Sequence, residues 1–303
     1  MRVPPRIGGN GLRIGLLALT AIIAALAGFV VYDHQQARRP SDGNPHPART
    51  QSQTVLPFTG LSGPEGLTVD SAGDVYVADG ANNRVVKIAP ESGAQQVLPY
   101  AGLNKPFSVA VDSAGSVYTF DKNDRVVELA ARHNTQRVLP FAGPESPTGM
   151  AVDSAGNLYV SQCLLHRVVK LAAGSHTQEV LPFAGLACPG GLAVDPAGNV
   201  YVVEQLTDRV EVLGAGSADR RTLRFPDLFN PAAIAVDSSG NLYATQSFEH
   251  KGSQVMELGT RTGLHRVLPF TGLDGPSGVA VDSVGSVYVT DHGNNRVVKL
   301  TAG

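Results

Sequence analysis

The sequence predicts an all-β fold, a six-bladed β-propeller built from four-stranded antiparallel blades. Three observations predict it. An apolar run, a turn opening on aspartate and a second apolar run recur six times, with the aspartate at Asp70, Asp112, Asp153, Asp195, Asp237 and Asp282. The intervals are 42, 41, 42, 42 and 45 residues, a period at which one small sheet repeats around a ring. A Val-Leu-Pro-aromatic segment, degenerate once at Leu223-Arg224-Phe225, follows each of the first five units, and a further copy precedes the first.

The elements follow in order. Residues 1–13 carry Arg2, Arg6 and Arg13 and no acid, and Ile14 to Tyr32 is a run of 19 uncharged residues. A helix of that length nearly spans a bilayer of about 30 Å, and the leading arginines place the N-terminus inside. Residues 14–32 are therefore expected to be a transmembrane signal anchor, or else a signal peptide cleaved near Ala27. Residues 33–53 are polar and proline-rich and are expected to be a flexible spacer. Residues 54–303 form the propeller.

Within the first repeat, Leu67-Thr68-Val69 reads as strand a, the innermost, and Asp70-Ser71-Ala72-Gly73 as a turn. Val75-Tyr76-Val77 is strand b, Arg84-Val85-Val86-Lys87-Ile88 strand c and Gln95-Gln96-Val97-Leu98-Pro99-Tyr100 strand d. A proline within the outer strand suits a sheet edge. The sixth repeat ends without a strand d, so Val55-Leu56-Pro57-Phe58 is expected to complete the last blade and close the ring.

The repeats also show where they differ. The first valine of strand c lies 27 residues before the next aspartate in every case, whereas the aspartate-to-valine distance is 15, 14, 15, 15, 18 and 15. Length variation is thus confined to the b–c connections, which share one face of the disc with the d–a loops. In repeat proteins that face commonly binds. The longest connection, in blade five, runs from Gln246 to Gln254 and contains Phe248 and His250.

Six recurring aspartates are scaffold, because a catalytic group is not needed once per blade. Asp79 with Arg84, Asp121 with Arg125, Glu204 with Arg209 and Asp291 with Arg296 are expected to pair across the b–c connections. Gln162 and Gln246 break that pattern and are candidate binding residues, together with Glu204. Glu65 and Phe107 occupy the position after the proline that opens strand a, where the blades differ most. With Phe248, His250 and His292 they complete the candidate ligand set. Cys163 and Cys188 fall in adjoining loops and are expected to form a disulfide in an exported domain. His166, His250 and His292 share the loop face but hold non-equivalent positions. No metal site, cofactor or catalytic residue is expected.

The formal net charge of -2 and the absence of a basic face argue against nucleic acid as a partner. The segment Leu-Pro-Phe-x-Gly-Leu-x-x-Pro-x-Gly-x-x-Val-Asp-Ser-x-Gly-x-x-Tyr-Val-x-Asp-x-x-Asn-Asn-Arg-Val-Val-Lys-Leu at 268–300 resembles the NHL repeat family. In particular it is similar to the extracellular sensor domain of actinobacterial receptor Ser/Thr kinases of the PknD type. The resemblance implies an exported sensor propeller; with 13 residues ahead of the apolar segment, an attached kinase is not expected. The leading expectation is a monomeric, membrane-anchored module that binds a protein, peptide or cell-envelope ligand. The alternative is a metal-dependent propeller enzyme of the lactonase or lyase kind. Near-absence of His, Cys and acids from the axial strands, Glu65 apart, weighs against that alternative.

Overall fold

The computed structural model describes residues 51–90, 92–141, 147–248 and 252–303, with Phe248 described by its backbone. The apolar segment 14–32, the bulk of the spacer and His250 lie outside the described residues. Among the described residues no helix is long and apolar enough to cross a membrane.

Six four-stranded antiparallel sheets make up residues 49–303. Among the described residues the first strand is β1 (Gln53–Val55). Blade one is β2 (Pro64–Val69), β3 (Val75–Asp79), β4 (Arg84–Ile88) and β5 (Gln95–Val97). Blade two is β6 (Ser108–Val111), β7 (Val117–Asp121), β8 (Arg125–Leu129) and β9 (Gln136–Val138). Blade three is β10 (Pro147–Val152), β11 (Leu158–Gln162), β12 (Arg167–Leu171) and β13 (Gln178–Val180). Blade four is β14 (Pro189–Val194), β15 (Val200–Glu204), β16 (Arg209–Leu213) and β17 (Arg220–Leu223). Blade five is β18 (Pro231–Val236), β19 (Leu242–Phe248), β20 (Gly252–Leu258) and β21 (His265–Val267). Blade six is β22 (Pro276–Val281), β23 (Val287–Asp291) and β24 (Arg296–Leu300), and β1 pairs with β24 to complete it. The ring therefore closes with the N-terminal strand, as the repeat count requires. Closure starts at Gln53↔Leu300, one residue inside the spacer expected from composition, and the Thr301 amide also bonds the Ser52 carbonyl at 3.0 Å.

Each sheet packs against a neighbour on both sides, which explains why strands b and c are continuously apolar rather than alternating. Val85 faces Val109 and Val127 of blade two, whereas the next residue, Val86, faces Ala280 and Val297 of blade six. Six such apolar clusters fill the gaps between blades.

The a–b turns confirm the scaffold role of the six aspartates. Asp70 Oδ1 accepts the amides of Ala72 and Asp74, each at 2.9 Å, and Oδ2 accepts the Tyr76 hydroxyl at 3.0 Å. The tyrosine bond recurs from Tyr118, Tyr159, Tyr201, Tyr243 and Tyr288. Burial beside the carboxylates pushes these phenols up, Tyr201 to about 12. Gly73 closes the turn at φ 85, a conformation that side chains with a Cβ resist.

Strand d is shorter than expected. It ends at Val97 in blade one, and the proline lies beyond it. Tyr100 N bonds Leu98 O at 2.8 Å, a three-residue turn centred on Pro99, and the same bond forms at Phe58, Phe141, Phe183 and Phe270. Proline's fixed φ suits the centre of that turn, which folds the aromatic ring toward the core.

Candidate binding site

The b–c hairpins and d–a loops meet on one face through an interlocking set of hydrogen bonds. In blade one the Asp79 carboxylate accepts the Ser62 amide at 2.8 Å and Arg84 Nε at 2.6 Å, while Arg84 Nη2 reaches Gly60 O at 2.9 Å. Asp121 with Arg125 and Asp291 with Arg296 repeat this arrangement. The fourth expected pair does not form. The Glu204 carboxylate takes the Ala187 amide at 2.8 Å, Arg209 does not reach it, and Glu204 Oε1 is buried without a hydrogen-bond partner.

The structure removes three residues from the expected ligand set. Gln162, Glu204 and Gln246 are 0%, 2% and 1% exposed, so no ligand on the face touches them. They occupy the same latch position as Asp79: Gln162 accepts Arg167 Nε at 2.6 Å, and Gln246 accepts the Phe229 amide at 3.0 Å. An amide accepts the loop N–H as well as a carboxylate does, which is why the sequence varies there. The blade-five connection is also not a long loop. Its extra residues lengthen the hairpin, adding Ser247↔Ser253 and Phe248↔Gly252 to the ladder, so β19 and β20 have seven residues each where other blades have five. The Phe248 side chain and His250 lie outside the described residues.

Cys163 and Cys188 are joined, with Cα atoms 4.3 Å apart, tying the b–c hairpin of blade three to the loop that enters blade four. His166 Nδ1 lies against Ala187 O in the same loop. Among the described residues no group of three or more His, Cys, Asp and Glu is gathered for a metal ion.

Glu65, Phe107 and His292 do come together. They line a cavity of about 240 Å³ at the axial mouth of blades six, one and two, with Gly80, Pro106, Lys105 and Lys122. Glu65 Oε1 lies 3.6 Å from His292 Nδ1, which also approaches Pro64 O at 3.1 Å. Burial raises the Glu65 carboxyl above its ordinary value, and the charges of His292 and Lys122 work against that rise. The Phe107 ring meets Phe120 at a 50° tilt with centroids 5.1 Å apart, and strand b of blade two carries Phe120 where other blades have small or branched residues. Sequence reasoning missed Lys105 and Lys122, which are ordinary surface lysines until the ring closes.

Thr148 and Ser277, equivalent to Glu65 in their blades, turn away from ligand duty. The Thr148 hydroxyl bonds Pro189 O of the next blade, and Ser277 Oγ bonds Glu65 O at 3.0 Å. The following position is small in every blade, because the inner strands nearly touch: a Cβ on Gly149 would lie 2.5 Å from Gly190 O.

The fold is that of a six-bladed β-propeller of four-stranded antiparallel blades. The NHL repeat model matches residues 61–88 and 273–300, which run through blades one and six beside the cavity. More particularly, the chain is 50% identical over 80 residues to the serine/threonine-protein kinase PknD of Mycobacterium tuberculosis, a stretch covering 25% of this chain and 10% of the kinase. The matched stretch thus spans about a tenth of the curated relatives' length. Among solved structures, a gluconolactonase from Xanthomonas campestris superposes with TM-score 0.66 at 18% identity, over 82% of this chain and 89% of that one. Virginiamycin B lyase from Staphylococcus aureus does so with TM-score 0.62 at 12% identity, over 84% and 99%. At such identities the likeness is one of fold.

Proposed function

We propose that the protein is an exported, membrane-anchored propeller that binds a protein, peptide or cell-envelope ligand on its b–c and d–a face. The observation that carries this reading is the mouth cavity, which gathers Glu65, Phe107, Lys105, Lys122 and His292 at the centre of the face where the repeats vary. The opposite face is six copies of one turn. The apolar run 14–32 behind three arginines supports export and anchoring, and the disulfide supports an oxidising compartment.

The test is cross-linking capture from envelope fractions with the full chain, compared with the Glu65→Ala, His292→Ala double variant. Specific partners should be lost from the variant. Equal recovery would remove the mouth from the reading. Glu65 beside His292 also supports a second reading, a hydrolytic or lyase activity in which this pair moves a proton. A lactone and lyase panel that shows turnover, abolished by Glu65→Gln, would favour it over pure binding.

A further inference from the structure

Lys105 has a positive φ of 45. Of its described counterparts before the strand-a proline, Gly63, Asn230 and Gly275 share this conformation, at φ 54, 43 and 57, and Cys188 does not. Glycine and asparagine tolerate this conformation, and lysine does so poorly. The scaffold does not ask for a lysine, because one latch serves all of these positions: Asn83 Oδ1 holds the Lys105 amide at 2.8 Å as Asn295 Oδ1 holds that of Gly63 at 2.7 Å. A strained residue retained beside a cavity points to a role for its side chain. Lys122 lines the same cavity from the b–c hairpin of blade two. Two lysines against the single carboxylate of Glu65 leave the cavity with positive charge in excess.

The other half of the face has the opposite character. Leu164 and Leu206, at the b–c tips of blades three and four, are 64% and 73% exposed, and Phe229, in the loop entering blade five, is 51% exposed. These are consecutive blades, and the Cys163–Cys188 bond fixes the loop that carries Leu164. A small anion would use the cavity alone. A lipid surface would meet charge over half the face. A polypeptide lying across the axis would use both halves.

Resting on the binding reading above, we infer that the partner is a polypeptide that places a carboxylate in the mouth cavity beside Lys105 and Lys122 and an apolar side chain on the Leu164–Leu206 rim.

The test is selection of a random dodecapeptide display library on the full chain, followed by titration of a synthetic winner. Winners should pair an acidic residue or free C-terminus with an aliphatic or aromatic residue. Lys105→Gly should weaken binding at least about tenfold, or 1.4 kcal/mol, while melting at the same or a higher temperature, since glycine suits that backbone. Leu206→Ser should weaken it by a similar factor. Affinity unchanged in both variants, or winners that are basic, would overturn the inference. So would free glutarate binding as tightly as the peptide, capture of the chain by anionic vesicles that Lys105→Gly abolishes, or dimerisation in sedimentation that Leu206→Ser abolishes. Winners sensitive to Glu65→Ala but to neither other substitution would leave the mouth as a binding site and sink only this partner chemistry. No winner at all would sink the polypeptide.

Discussion

Replacing Glu204 by glutamine should stabilise the protein at neutral pH. Glu204 sits where Gln162 and Gln246 sit in blades three and five, and like Gln246 it holds a d–a loop amide. As a carboxylate it is 2% exposed, has no arginine within ion-pair distance, and leaves Oε1 without a partner. Burial raises its carboxyl above the ordinary value, the Ala187 and Cys188 amides oppose this, and Glu211 adds to the rise. Leaving a buried polar atom unsatisfied costs about 1–3 kcal/mol. Glutamine keeps the Ala187 bond and removes the charge, so a gain of about 1–2 kcal/mol is expected, about 2–6 °C in Tm for a domain of this size.

The pH dependence supplies the sharper check. An acid whose folded-state pKa is raised is ionised first in the unfolded chain. Its penalty is absent below the ordinary carboxyl value and grows as pH rises through the raised one. The advantage of Glu204→Gln should therefore be seen at neutral pH and vanish toward about pH 4, near the ordinary glutamate value. Thermal melts of both proteins across that range test it. A variant less stable at neutral pH, or a gap that does not change with pH, would refute the reasoning. Gln246→Glu should show the mirror image.

Two further outcomes follow. Cys163→Ala with Cys188→Ala should lower stability by about 3 kcal/mol, because the bond closes a loop of 25 residues in the unfolded chain; urea unfolding measures it, and no change would mean the loops are held by the flanking hydrogen bonds alone. A chain beginning at Thr59 loses β1 and the half-buried Leu56 and Phe58, and should be destabilised by about 1.5–3 kcal/mol from the two apolar side chains alone. Its exposed β24 edge should also promote self-association in sedimentation, while a chain beginning at Arg49 should melt as the parent does.

What the sequence determined by itself is whatever repeats. The period set six blades, the aspartate and glycine of each a–b turn set the hairpins, and the displaced Val-Leu-Pro-Phe segment announced closure. The Cys163–Cys188 bond followed from loop order around the ring. The six Tyr–Asp bonds share a constant spacing of six residues, but the pairing itself emerged only from the folded hairpins.

Tertiary structure alone decided which variable positions are exposed. Gln162, Glu204 and Gln246 vary as binding residues would, yet all three are buried, and the carboxylate of Glu204 and the amide of Gln246 each hold a loop N–H. Blade five's added length reads as a loop, but backbone hydrogen bonding extends the hairpin instead. The mouth cavity joins Glu65 to His292 and brings in Lys105 and Lys122 because ring closure sets blade six against blade one. No local pattern encodes that meeting, since its cause is the packing of sheets far apart in sequence. Lys105 shows the limit most plainly: its identity is visible in the sequence, but its left-handed backbone, which gives the lysine its meaning, exists only in the folded ring.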